Sequence, residues 1–192
     1  MTWLIIVLGY LLGAIPTGYI VGRVVASGDI RRMGDENMGA ANAYRQLGAK
    51  AGVIVGIIDA GKGALAVLIA QAASLPLPAV LATGVAVVAG HNWPVFLGFR
   101  GGRGVSTTIG ILLVLITIPM LILALPTILI LILKRSVTPA MAFMFILLPL
   151  VDWWLKVPLP LIVYGVGLPA LIGVTTFFRT RWAVNTSGTR SA

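Results

Sequence analysis

Long apolar runs alternate with short, glycine-rich polar stretches along this chain. Residues 3–22 form the first run, close to the roughly 20 apolar residues that a helix needs to cross a bilayer. A polar stretch follows to about residue 50. A second run covers about 51–73 and stops at Leu75-Pro76-Leu77-Pro78, and a third covers about 79–97. Residues 107–133 are dominated by Leu and Ile, interrupted by Pro119 and Pro126. Lys134-Arg135-Ser136 then breaks the pattern, another run covers about 137–151, and residues 152–160 form a connection to a last run ending near Phe178. Runs of this length predict an all-α, polytopic membrane helical bundle, because helices satisfy their own backbone in lipid.

Residues 107–133 decide the topology. A single crossing gives six spans and puts Lys134 and Arg135 outside together with Arg179, Arg181 and Arg190. Two short or re-entrant helices, bent near Pro119, give seven, and every loop basic residue except Lys156 then lies inside. Basic residues favour cytoplasmic loops, so about seven transmembrane helices are expected, some of them short or broken. Met1-Thr2-Trp3 carries no side-chain charge and the first basic residue, Arg23, follows the apolar run. That order predicts a membrane span instead of a cleaved export signal, with the N-terminus outside and the C-terminus cytoplasmic. Residues 1–182 are expected to form one membrane domain and 183–192 a polar C-terminal tail.

Composition narrows the function classes. Hydrophobic residues make up 59% of the 192 and charged ones 10%, with a mean hydropathy of +1.05, which leaves no room for a separate soluble domain. The net charge of +9 would suggest nucleic acid in a soluble protein. Here it reads as cytoplasmic loops, so no nucleic-acid partner is expected. There is no cysteine, one histidine and five acids, which excludes thiolate chemistry and argues against a protein-built metal site or a cofactor.

Three polar clusters carry the candidate chemistry. Residues 31–45 include Gly34-Asp35-Glu36-Asn37-Met38-Gly39-Ala40-Ala41-Asn42 and Arg45. Asp59-Ala-Gly-Lys62-Gly63 lies inside the second apolar run, its two charges on one helical face at i,i+3. Lys62, roughly 16 Å along that helix, is expected near the bilayer centre, where an ion pair marks a functional or a structural network. Gly90-His91-Asn92-Trp93-Pro94 ends the third run and leads to Arg100-Gly101-Gly102-Arg103-Gly104. Glycine admits close backbone approach and arginine gives forked donors, so a glycine-rich segment opening a helix suits an anion. The Walker spacing is absent. A lone histidine at a helix end is more often structural than catalytic. Gly9 and Gly13, Gly18 and Gly22, and Gly48, Gly52 and Gly56 follow small-xxx-small spacing, which packs membrane helices closely.

These blocks, in this order, resemble the bacterial membrane acyl-phosphate:glycerol-3-phosphate acyltransferase family over essentially the whole chain, from Gly13-Ala14-Ile15-Pro16 to the last run. The resemblance implies a small helical enzyme of the bacterial cytoplasmic membrane. It would move an acyl chain from acyl phosphate to the 1-hydroxyl of glycerol 3-phosphate, giving lysophosphatidic acid and phosphate. Its partners would be those substrates and membrane lipid, and the protein a monomer. Arg45 and Arg103 would clamp phosphate, with Arg100, Lys62, Gly101, Gly102 and Gly104 contributing to binding. Asn37 and Asn42 would orient substrate or polarise the carbonyl, and His91 joins them as a catalytic candidate. The family usually has Ser at position 35, Gly at 36, Thr at 41 and Lys-Gly-Gly-Lys-Gly at 100–104. It also carries a His-Arg-Glu-Asn segment where this chain has Phe178-Arg179-Thr180-Arg181. Asp35 is then either a general base for the acceptor hydroxyl or the sign of an altered acceptor. Two further readings stay open: a paralogue with another acceptor or a non-catalytic lipid or acyl-phosphate binder, and an anion transporter, for which no internal repeat is visible.

Overall fold

In the computed structural model the backbone is described for residues 1–188 and side chains as far as Phe177. Every regular element among the described residues is helical: α1 Thr2–Ala14, α2 Thr17–Ala26, α3 Ala40–Leu47, α4 Ala49–Ala72, α5 Leu77–Asn92, α6 Val105–Leu115, α7 Thr117–Lys134, α8 Val137–Trp154 and α9 Leu159–Gly188. One-turn 3-10 helices cover Ile30–Arg32 and Val95–Leu97. The helices form a polytopic bundle in which six segments, taking α1 and α2 together, are long and apolar enough to cross a membrane. Residues 189–192, part of the expected polar tail, lie outside the described residues.

The first apolar run is not one straight helix. Pro16 has no N–H and biases the residue before it away from the helical region. Ile15 accordingly leaves α1 with φ −58° and ψ 117°, and α2 restarts at Thr17. Residues 107–133 also divide near Pro119 as expected, the break falling at Ile116 (φ −137°, ψ 59°), so that α6 ends at Leu115, the i−4 position whose carbonyl the Pro119 ring would strike in a continuous helix. Pro119 sits in the first turn of α7, where its missing N–H has no intrahelical partner to lose. The division is unequal: α6 has 11 residues and α7 has 18, or about 16 Å and 27 Å of helix. The polar stretch before residue 50 is partly ordered as α3.

Side-chain size, more than hydrophobicity, decides which helix faces turn inward. On α4 the buried positions are Ala51, Gly52, Val55, Asp59, Lys62, Gly63, Ala66, Val67 and Ala70, a stripe at helical spacing. Leu65, Leu68 and Ile69 stay exposed, as residues facing lipid do. Small residues let backbones approach. The Cα of Gly13 lies against the Val87 carbonyl of α5, Gly90 of α5 against the Tyr10 carbonyl of α1, Gly18 against that of Met38, and Gly110 of α6 against that of Ala60. Of the third glycine ladder, Gly52 packs on Tyr44 and Gly56 on Ala40. Gly48 instead makes the turn between α3 and α4 at φ +92°.

Two apolar cores result. Ile5, Ala66, Val67, Val87, Val88, Ile111 and Leu168 join α1, α4, α5, α6 and α9, while Leu112, Ile116, Met120, Leu123, Met144 and Leu148 join α6, α7 and α8. A small third core of Ile30, Met38, Ala43 and Val55 fixes the polar segment before α4 onto the bundle. Near the start of α9, the Tyr164 hydroxyl donates to the Leu81 carbonyl (3.0 Å) near the start of α5. Gly165 lies beside Asp152 at the end of α8 and Ile116 at the end of α6. These four helix ends therefore share one level of the bundle.

A matched pair on α4 tests the close packing. A methyl at Gly63 would strike the Thr107 carbonyl of α6, whereas one at Gly61 meets nothing within 4 Å. Gly63→Ala is expected to destabilise by about 1–3 kcal/mol through overpacking, and Gly61→Ala to leave stability unchanged or raise it by up to about 1 kcal/mol. Thermal unfolding in detergent micelles would check both, and equal melting temperatures would refute the packing assignment.

Candidate functional site

The break between α1 and α2 frees carbonyls that a continuous helix would consume. Thr17 N–H turns to Ile15 O (3.0 Å), leaving Gly13 O without its helical donor. The Lys62 ammonium fills the gap, donating to Gly13 O at 2.9 Å and Ile15 O at 3.1 Å. It also lies 2.9 Å from Asp59 Oδ1, the i,i+3 partner foreseen from the sequence. Asp59 Oδ1 is in turn 3.5 Å from His91 Nδ1 on α5. All three side chains are buried. In this arrangement Lys62 is committed to protein carbonyls and a carboxylate.

His91 connects that network to the glycine-rich segment. Its carbonyl accepts from Gly102 N–H at 3.0 Å, and its ring lies directly against the Gly102 Cα. A side chain at Gly101 would collide with the His91 carbonyl, so both glycines are required sterically. Gly104, at φ +83°, reverses the chain into α6 as its N-cap. Arg100 is exposed and Arg103 half-buried at the turn so formed.

Asn42 folds the first block. It is fully buried, and its Nδ2 donates to Met33 O (3.0 Å), Asn37 O (2.8 Å) and Ile30 O (3.4 Å). Its Oδ1 accepts from Asp35 N–H at 3.2 Å. The amide is thus spent on the loop. Asn37 is buried too, its Oδ1 accepting from Gly39 N–H at 3.0 Å just before α3. Gly34 and Glu36 take left-handed conformations at φ +56° and +54°, which a glycine at 36 would adopt with less strain.

The folded loop delivers Asp35 to the two arginines. Arg45 Nη2 on α3 pairs closely with Asp35 Oδ2, and Arg103 Nη2 lies 3.5 Å from the same oxygen. Arg45 and Arg103, nearly sixty residues apart in sequence, therefore converge on one point at the surface of the bundle. All three side chains are partly exposed, at 34–47%. The point is reachable from solvent.

The sequence reading passed over Arg31. Its guanidinium forks onto Asp29 (2.8–3.2 Å) and also donates to Leu97 O at 3.2 Å. It stacks 5.2 Å from the Tyr19 ring centroid, which Arg23 approaches as closely. Arg31 thereby ties the loop of Asp35 to the turn that follows His91. It opens the first polar cluster of the sequence, residues 31–45, but nothing there assigned it a role.

An apolar groove of about 410 Å³ runs along α1 and α4, lined by Ile5, Leu8, Leu12, Ile15, Leu65 and Phe96 among others. One end reaches Ile15, whose carbonyl binds Lys62, and Phe96, four residues before Arg100. Among the described residues no group of three or more His, Cys, Asp or Glu is gathered for a metal.

Comparison with known proteins gives one consistent family. A family model described as glycerol-3-phosphate acyltransferase matches residues 3–186. Glycerol-3-phosphate acyltransferase 4 of Dehalococcoides mccartyi is 47% identical over 94% of this chain and 98% of its own length. Glycerol-3-phosphate acyltransferase 2 of Moorella thermoacetica is 52% identical over 58% of this chain and 57% of its own. The crystal structure of PlsY (YgiH), an integral membrane glycerol 3-phosphate acyltransferase, in its glycerol 3-phosphate form superposes with a TM-score of 0.81 at 32% identity, covering 98% of this chain and 92% of that one. Its lysophosphatidic acid form gives 0.78 at 31%, with the same coverage.

The Arg31–Asp29 pair predicts an acid limit. The hydrogen bond from Arg31 holds the Asp29 carboxyl below its ordinary value of 3.8, against the opposing effect of burial. A depressed carboxylate stabilises the fold above its unfolded pKa and loses that contribution as pH falls through the folded one. Stability is therefore expected to drop below about pH 4, and Asp29→Asn to flatten that part of the profile. Melting curves from pH 6 to 3 would check this; identical slopes in the two proteins would refute it.

Proposed function

The chain belongs to the glycerol-3-phosphate acyltransferase family, and we propose that it transfers a fatty acyl chain from acyl phosphate to glycerol 3-phosphate, giving lysophosphatidic acid and inorganic phosphate. It is a multi-pass protein of the bacterial cytoplasmic membrane that works in phospholipid synthesis. The observation that carries the activity is the convergence of Arg45 and Arg103 in a fold that superposes on an integral membrane glycerol 3-phosphate acyltransferase. Two guanidiniums at one point suit a phosphate, which arginine grips through paired N–H donors.

The reaction asks for positioning and charge neutralisation. The acceptor hydroxyl attacks the acyl carbonyl, the new ester C–O bond forms as the carbonyl–phosphate bond breaks, and the hydroxyl proton passes to a phosphate oxygen. Arg45 and Arg103 bind phosphate, with Arg100 adding positive field at the same turn. Asn42 and Asn37 act as positioning residues that hold the loop. Lys62, Asp59 and His91 fix the break in the first membrane segment against the Gly101–Gly102 turn. The groove along α1 and α4 is lined by apolar side chains suited to an acyl chain, and Phe96 in its lining lies close in sequence to the arginine turn.

The topology follows from the same reading: seven membrane-embedded helical segments, the N-terminus outside and the C-terminus cytoplasmic. The common level of the starts of α5 and α9 and the ends of α6 and α8 supports two passages through residues 105–134, α6 rising and α7 returning. Trp3 at the start of α1 and Trp153 and Trp154 at the end of α8 are exposed, as aromatic residues at a membrane–water interface are.

Single cysteines introduced at Thr2 and Ser136 are expected to label from opposite sides, Thr2 from outside and Ser136 from the cytoplasm. An externally reactive Ser136 position would remove the seven-segment arrangement. For the activity, the assay is acyl phosphate with glycerol 3-phosphate in micelles. Arg45→Ala and Arg103→Ala should each lose about tenfold to a hundredfold in kcat/KM, the effect of about 1.5–3 kcal/mol for a charged hydrogen bond, with Arg103→Lys milder. Parental kinetics in both folded alanine variants would refute the phosphate assignment.

A further inference from the structure

The arginine pair is not open. Asp35 Oδ2 is the point on which Arg45 and Arg103 converge, so an acidic side chain of this chain holds the position that a substrate phosphate oxygen would take. We propose that Asp35 is a specificity-determining internal competitor: its carboxylate occupies the phosphate-binding arginines until a dianionic phosphate displaces it. The inference rests on the acyltransferase reading above for the identity of the substrate, but not for the occupancy of the pair.

Three features make displacement the natural outcome. The carboxylate carries one charge and a phosphate monoester close to two, so the phosphate wins both arginines on charge. The backbone at Asp35 is anchored by its N–H to the buried Asn42, so the side chain can swing aside about its own torsions without refolding the loop. All three partners are partly exposed, which keeps the ion pairs weak and exchangeable. Arg31 is not available to take the displaced carboxylate, because Asp29 and the Leu97 carbonyl already hold its guanidinium. The Asp35 side chain, already 38% exposed, has a solvent-facing path away from the pair.

Occupancy by an internal ligand weakens apparent affinity by the fraction of protein left competent. For two exposed pairs of ordinary strength that factor is about threefold to tenfold. A polyol, a monoanionic headgroup or a carboxylic acid gains less than a phosphate dianion from the exchange, so Asp35 also selects for doubly charged ligands.

The test uses the full chain in detergent micelles, comparing the parent with Asp35→Asn, the isosteric neutral variant, with Asp35→Ser, and with Asp35→Glu. Two quantities are read: KM for glycerol 3-phosphate at saturating acyl phosphate, and the rise in melting temperature given by inorganic phosphate without turnover. Asp35→Asn and Asp35→Ser are expected to lower KM about threefold to tenfold and to respond to less phosphate than the parent, while Asp35→Glu stays near the parent. An unchanged or raised KM in the folded neutral variants would overturn the proposal by making Asp35 an organiser of the arginines. Collapse of kcat at saturating substrates would overturn it by making Asp35 a proton acceptor. A parent that does not turn over glycerol 3-phosphate would refute the acyltransferase reading alone. The phosphate melting shift then decides: a larger shift in Asp35→Asn sustains the internal competitor, and an equal shift refutes it.

Discussion

A lysine ammonium buried against two main-chain carbonyls is the interaction on which the rest of this structure depends. A proline-broken helix inside a membrane domain exposes carbonyls that lipid cannot satisfy. An isolated buried ammonium is equally costly. Lys62 and the Gly13 and Ile15 carbonyls resolve both problems together, and Asp59 neutralises the remaining charge. Because the partners sit on different helices, satisfying them fixes the angle between α1 and α2 and the register of both against α4. His91 extends the same constraint to α5 and, through its carbonyl, to the turn that carries Arg103.

That network needs backbones closer than ordinary side chains permit. Gly13 and Gly90 bring α1 and α5 together around the break, and Gly63 and Gly110 bring α4 and α6 together beside Lys62. Large apolar residues are displaced to the lipid, where Leu121, Leu125, Leu129 and Ile132 of α7 remain exposed. In lipid, burying Leu against Leu gains little over leaving it in the acyl chains. Close packing and satisfied polar groups thus define the interior, and the two depend on each other.

Much of this was legible in the sequence, for physical reasons that can be named. Apolar runs announced the membrane segments, since length and the absence of charge suffice for that. The i,i+3 spacing of Asp59 and Lys62 announced their pairing, and the Arg-Gly-Gly-Arg-Gly segment announced a glycine-rich entry into a helix. Where the chain breaks was harder. Pro119 marked the region where residues 107–133 divide, but the break itself falls at Ile116, because a proline ends the preceding helix at its i−4 residue and then sits undisturbed in the first turn of the next. Lys62 lies about as far along its helix as expected, but its partners, the carbonyls of a distant broken helix, have no sequence signature. Asn42 looked like a substrate ligand because it ends the block that carries the family resemblance, beside Arg45; its four hydrogen bonds go to the loop itself. Arg31 was missed because its partner on the far side is a main-chain carbonyl.

The site thereby separates into two layers with different tolerance to change. In the buried layer of Lys62, Asp59, His91 and Asn42, the Lys62 ammonium and the Asn42 amide are held by short contacts whose loss would strand a buried charge or donor. The exposed layer of Arg45, Arg103 and Asp35 is bound mainly by charge. Arginine in place of lysine at 100 and 103 preserves that charge while changing geometry, which solvent-exposed partners can absorb. A serine-to-aspartate difference at position 35 is larger, since it turns a donor to phosphate into an anion. It can be accommodated because it falls in the exposed layer, between two arginines that neutralise it in the absence of ligand. The same change one layer deeper, beside Asp59, would set two carboxylates against one ammonium with no solvent to screen them.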